Sequence, residues 1–180
     1  MKGLNEALIV KVEEYSEAID REVNKCIDQY SGELDNYMSI LDKDLATDVA
    51  LTDEELDRVA SNLSTLIYFA SSGCEVMGIR DDISKSMYKE AYNTARALQT
   101  TGTVQDKNTQ AELDAMEEHI VHVIYSKAYR QLKAKVEAAQ EMLATVKKII
   151  TRRISEAELG NMAVSRGGNT DDMGQTDRTR

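Results

Sequence analysis

The sequence predicts an all-α protein, an elongated set of helical hairpins or a bundle that ends in one long C-terminal helix. Three observations carry that expectation. Among 180 residues there is no proline, although average usage is about 5%. Aromatic residues make up 5% of the chain and glycine occurs nine times, too few turn and strand formers for a sandwich or barrel. Over most of the chain, apolar residues recur at spacings of three and four, the period of a helix face. With 30% charged residues the core should be thin, which suits helices lying side by side or several copies sharing a core.

The first helix is read from Leu4, Leu8, Val12, Tyr15, Ile19, Val23, Cys26 and Tyr30, a continuous stripe at helical spacing. The same rhythm continues through Leu34, Tyr37, Leu41 and Leu45. Ser31-Gly32 interrupts it, and because glycine weakens a helix interior by about 1 kcal/mol relative to alanine, a hinge or short break is expected there. Residues 47–52 read as a connection. Thr52 followed by Glu55 is a capping box, in which each side chain satisfies a backbone donor at a helix start, so a second helix should begin near Asp53. Its stripe is Leu56, Val59, Leu63, Ile67, Ala70, Cys74 and Met77. Gly73 and Gly78 predict a kink, after which Ile83, Met87, Ala91 and Ala95 resume the pattern. Thr100-Thr101-Gly102 ends it.

Thr109 with Glu112 forms another capping-box pattern, and the last helix is expected to start there and run for about 48 residues, roughly 70 Å. Its stripe is Leu113, Met116, Ile120, Ile124, Ala128, Leu132, Val136, Ala139, Leu143, Val146 and Ile150, a seam that calls for partners along its whole length. From Gly160 the chain is polar and aperiodic and reads as disordered. The expected organisation is therefore an acidic N-terminal helical segment over 1–46, a long helical hairpin core over 52–159 and a polar tail over 160–180. Since the long seam exceeds what a broken front helix would cover, a homo-oligomer is expected. No apolar run reaches the 18 to 20 residues of a membrane span, and the N-terminus lacks the order of a signal peptide, so a cytoplasmic protein without membrane contact is expected.

Charge is unevenly spread. Residues 1–80 hold 17 acidic and 7 basic residues, whereas residues 127–153 hold 8 basic and 2 acidic, a local +6 in a chain of net charge −10. The basic residues are Lys127, Arg130, Lys133, Lys135, Lys147, Lys148, Arg152 and Arg153. A charged helix face is often only a solvated surface. The functional reading is a stripe for nucleic-acid phosphates, where several cations on one face release condensed counterions together. Tyr125 and Tyr129 just before it offer rings on which unpaired bases could stack, and Lys85, Tyr88, Lys89 and Tyr92 repeat the combination more weakly.

Catalytic signatures are missing from the sequence. His119 and His122 have the spacing of two ligands on one helix face, but no Glu-x-x-His pattern or second ligand helix accompanies them. No phosphate-binding glycine loop, nucleophile elbow or kinase signature occurs, and Ser64, Ser71 and Ser72 have no histidine in sequence context to activate them. Asp81-Asp82 reads as helix charge rather than a metal pair. Cys26 and Cys74 read as small buried hydrophobes rather than a disulfide. The expectation is a protein that is not an enzyme and takes neither metal nor cofactor.

An acidic front helix, two long helices and a terminal basic run Val146-Lys147-Lys148-Ile149-Ile150-Thr151-Arg152-Arg153-Ile154 give the chain a layout that resembles the UvsY-like recombination mediators of T-even and related bacteriophages. The likeness spans roughly residues 60–155 and rests on the middle helix with Lys85, Tyr88, Lys89 and Tyr92, the turn at Gly102 and the basic end of the last helix. It implies a small helical protein, in the host cytoplasm if phage-encoded, that assembles into a ring and binds single-stranded DNA. It also implies a recombinase and a single-strand-binding protein as partners, the recombinase being loaded onto strands the latter covers. The helices and polar tail equally suit a virion or assembly structural protein, and the acidic front suits an adaptor or inhibitor of another protein.

Overall fold

The computed structural model describes residues 2–45 and 51–167. They form four helices and no strand: α1 (Lys2–Leu45), α2 (Asp53–Leu98), α3 (Val104–Asp114) and α4 (Met116–Gly167). None is long and apolar enough to cross a membrane among the described residues. Contacts along the chain give the topology. Asp53 meets Arg153 and Ser84 meets His122, so α2 and α4 are antiparallel, whereas Asp20 with Lys127 and Asp35 with Lys135 set α1 parallel to α4. The result is an up-down-up bundle of three long helices.

The core is a seam of two clusters. One joins Val23 and Ile27 of α1 to Met77 of α2 and Ala128 and Leu132 of α4. The other joins Leu34 and Leu41 to Leu63, Ile67 and Ala70 and to Val136 and Ala139. Successive core residues are four and seven apart on α1, three, four and seven apart on α2, and three and four apart on α4, the coiled-coil spacing that keeps one face inward. Cys26 and Cys74 pack against these clusters as partly buried free thiols. Burial pushes the Cys74 thiol up, with Glu137 adding to the effect and Lys133 opposing it, so the reactive thiolate is suppressed there.

The α2 start is the expected capping box. The Thr52 side chain accepts from the Glu55 backbone N–H at 3.3 Å, and the Glu55 carboxylate accepts from the Thr52 N–H at 2.7 Å. Those bonds hold the Glu55 carboxyl below its usual range. The α2 end also falls where the turn residues placed it, at Leu98.

Three expectations need correction. The helix α1 does not break at Ser31-Gly32. Ser31 is fully buried between Ile27 and Leu34, its hydroxyl donates to Asp35 at 3.1 Å and accepts from Lys135 at 3.4 Å, and packing on both flanks outweighs the weak local propensity. Gly73 and Gly78 lie inside the continuous α2 and are contact points. A Cβ on Gly73 would lie 2.5 Å from Cγ of Tyr30, and one on Gly78 would lie 3.5 Å from the Tyr129 ring. The second capping box is Thr103 with Asp106, whose carboxyl is lowered by its bonds to Thr103. It follows Gly102 at a φ of +96°, a conformation that suits glycine. Thr109 instead donates its hydroxyl to the Gln105 carbonyl inside α3. The last helix is consequently divided at Ala115, a buried residue with φ −99° and ψ 15°. Finally, α4 continues past Gly160 to Gly167, so the first eight residues of the expected polar tail are helical; the remainder of that tail lies outside the described residues.

The predicted apolar stripes are buried over only part of their length. Val23 and Ile27 are 0% exposed, yet Val12 and Tyr15 on the same stripe of α1 are 61% and 70% exposed. At the same end of the molecule Ile83 and Met87 of α2 and Met116 and Ile120 of α4 are also open to solvent. There α2 is paired with α3 and the start of α4 but has no third helix over it.

Candidate nucleic-acid interface

The basic run lies on α4, and the packing of that helix divides it. Three of its eight cations are half-buried and pair across to neighbouring helices. Lys127 donates to Asp20 of α1 at 3.0 Å. Lys135 pairs with Asp35 of α1 and reaches the Ser31 hydroxyl. Arg153 donates to Asp53 of α2 at 2.8 Å and to the Leu51 carbonyl at 2.7 Å, closing the end of the bundle. The acidic front helix thus lies over part of the basic stretch, and these three cations hold helices together instead of facing a ligand.

The other five, Arg130, Lys133, Lys147, Lys148 and Arg152, are exposed. Lys133 sits 3.9 Å from Glu137 and Arg152 3.5 Å from Glu156, each one turn along the helix, pairs that are worth little in water. Among the described residues Arg130, Lys147 and Lys148 have no carboxylate within ion-pair distance; Arg130 donates to the Ser126 carbonyl. Glu137 and Glu141 interrupt the outer face, leaving Lys147, Lys148 and Arg152 as its densest positive group, six residues or about 9 Å of helix. Thr151 and Ser155 nearby donate their hydroxyls to backbone carbonyls one turn back, so the cations are the donors left to meet an anion.

The tyrosines of the predicted site are elsewhere. Tyr125 and Tyr129 are half-buried and pack against the Val23 and Ile27 cluster, on the rim of the core rather than beside the exposed cations. Tyr88 lies against His119 with ring centroids 4.8 Å apart and against Tyr92 at 6.5 Å, the pairs tilted by 54° and 50°, with exposed Lys85 and Lys89 flanking it. This second basic group faces the beginning of α4. Along that helix, His119 and Lys147 are 28 residues or about 42 Å apart, so the two groups form separate patches.

One polar cluster escapes the sequence reading altogether. Asp81 and Ser84 of α2 meet His122 of α4: the Ser84 Oγ lies 3.4 Å from His122 Nδ1 and the Asp81 Oδ1 lies 3.3 Å from that same nitrogen. A serine, a histidine and an aspartate suggest a nucleophile relay, but a relay needs the serine and the carboxylate on opposite ring nitrogens. Here both meet one nitrogen, and the Ser84 hydroxyl already donates to the Asp81 carbonyl at 2.9 Å. The cluster is a cross-link between α2 and α4. His119 packs against Tyr88, one turn along α2 from Ser84, and among the described residues no group of three or more His, Cys, Asp or Glu converges. The chain matches no protein-family model, and neither the curated proteins nor the solved structures contain a match to it.

Proposed function

We propose that the protein is a non-catalytic, single-stranded DNA-binding helical protein, of the kind that prepares a strand for a recombinase, with the exposed face of α4 as its phosphate-binding surface. The observation that supports this reading most is the group Lys147, Lys148 and Arg152, exposed side by side while neighbouring Arg153 is tied to Asp53. The net charge of −10 does not oppose it. At physiological salt the screening length is about 8 Å, much shorter than a helix of 52 residues, so a strand on the outer face of α4 feels the local cations and little of the acidic helix behind them. The remaining two exposed cations, Arg130 and Lys133, extend the surface along the same helix.

Titration of a labelled single-stranded oligonucleotide by fluorescence anisotropy at several salt concentrations tests this. Five phosphate contacts predict a log-log salt slope of roughly −3.5, at about 0.7 per contact for single strands. Joint replacement of Lys147, Lys148 and Arg152 by Gln should make the slope shallower by roughly 2 with helicity unchanged. No binding by the parent at low salt would refute the reading.

A further inference from the structure

The end of the bundle that α1 leaves open carries two apolar surfaces that do not touch. One is the stripe on α1 formed by Ile9, Val12 and Tyr15, exposed by 54%, 61% and 70%. The other is a groove between α2 and α4. On α2, Val76 packs against the cluster that contains α1 residues Val23 and Ile27, and at helical spacing beyond it come Ile83, Met87 and Leu98, all exposed. On α4, Ile124 packs against the same cluster, and Ile120 and Val121 precede it, exposed. The groove that holds α1 from Ile19 onward therefore continues past the point where α1 departs. Met87, Ala91 and Leu98 line one stretch of it, and Ser84, Met87 and Val121 line an adjoining hollow of about 230 Å³.

We propose that this groove receives the N-terminal part of α1 from a second copy of the chain, each copy lending its stripe to the other. Three features identify the occupant. The groove is the continuation of an interface that already takes an amphipathic helix, and that helix is α1. The α1 stripe over residues 9–19 repeats the spacing of three and four that the buried part of the same helix uses. The lengths are also compatible, since residues 9–18 cover about 15 Å and fit within the roughly 21 Å of helix from Ser84 to Leu98. Because one chain carries both surfaces, a two-fold pair satisfies both at once, as a self-complementary interface requires. The charges set the salt response. Glu13, Glu14 and Glu17 on α1 would approach Glu90, Asp114 and Glu117 at the groove, so salt should strengthen pairing by screening like charges, opposite to its effect on DNA binding. The pairing does not depend on DNA binding, and either can fail alone.

Sedimentation of the full chain at micromolar concentration should give a mass twice the 20.1 kDa of one chain, falling to one chain on dilution. Val12→Glu with Tyr15→Glu, and separately Met87→Glu with Ile120→Glu, should each weaken pairing at least 100-fold. The first pair of positions is open to solvent in the single chain, so its circular dichroism should not change. To identify the contact, a chain with Val12→Cys is mixed under oxidising conditions with one carrying Met87→Cys, both in a Cys26→Ala, Cys74→Ala background. A disulfide-linked dimer should form. A monomeric parent, an association that ignores both double substitutions, or closure within one chain carrying both cysteines in place of a linked dimer would overturn the proposal, as would pairing that weakens with added salt.

Discussion

Between Ile19 and Leu41, α1 lies against α2 and α4, and the residues facing inward are among the most buried in the molecule. Between residues 9 and 18 the same helix, with the same apolar spacing, covers nothing. Both stretches have the same local sequence logic and both are helical, so what separates them is whether a partner surface is present. At one end, Val23, Ile27, Leu34 and Leu41 find two helices whose stripes are in register. At the other, α2 is matched by α3 and the start of α4, with buried Ala111 and Ala115 as the small residues at that contact, and no third helix joins them. The comparison shows that an amphipathic stripe states what a helix needs but does not say which chain supplies it.

Substitutions at equivalent stripe positions should sharpen that contrast. The largest effect belongs to the three-helix end: Leu132→Asp places a carboxylate at a fully buried site between α1 and α2, where an unpaired charge is strongly disfavoured, and should abolish the cooperative thermal transition followed by circular dichroism. Val12→Asp, on the uncovered part of α1, should change the stability of the single chain by no more than about 0.5 kcal/mol. Next in size is Gly73→Ala. The new Cβ would meet the Tyr30 ring near its root, where it cannot swing aside, and should cost about 1–3 kcal/mol, read as a lower denaturant midpoint.

Smaller effects are expected at the helix starts. Thr52→Ala removes the α2 cap and should cost about 1 kcal/mol. The partner carboxyls, Glu55 and in α3 Asp106, are both lowered by their bonds to threonine. A lowered carboxyl stabilises the fold when ionised, so its contribution is present at neutral pH and fades as pH falls through the lowered value. The gap between parent and Thr52→Ala in thermal melts should therefore narrow on acidification below the usual carboxylate range. Of opposite sign is Gly32→Ala: a Cβ there meets nothing within 4 Å, and relief of glycine's backbone entropy in a continuous helix should raise stability by about 0.5–1 kcal/mol.

Fold class, the α2 start at Thr52 and Glu55 and its end before Thr100 could all be read from the chain, because each rests on local chemistry: periodicity, a side-chain cap, a turn. The errors came where tertiary contacts overrule local signals. Ser31-Gly32 has weak helix propensity, but its flanks Ile27 and Leu34 are buried and Lys135 reaches over from α4. Thr103 and Thr109 carry equivalent cap patterns, and the positive φ at Gly102 decides between them. Nothing in the sequence around Ala115 marks the break between α3 and α4. For the candidate site, the sequence showed which residues are basic but not which way they face. Only the register of α1 and α2 against α4 distinguishes Lys127, Lys135 and Arg153, held by Asp20, Asp35 and Asp53, from Lys147 and Lys148. The Asp81, Ser84 and His122 cluster joins residues 38 apart in sequence and has no local signature.

That division of the basic run is the centre of the functional account, and one paired measurement tests it most directly. Two triple variants are compared for thermal stability and for anisotropy-detected affinity to a single-stranded oligonucleotide at one low salt concentration. In one, Lys127, Lys135 and Arg153 are changed to Gln; in the other, Arg130, Lys147 and Lys148. The inward set should lower the melting temperature and leave the affinity of the folded protein within about threefold, whereas the outward set should leave melting unchanged and weaken binding at least tenfold. Equal loss of affinity in both variants, or none in the outward one, would contradict the assignment of the exposed face of α4 as the phosphate-binding surface.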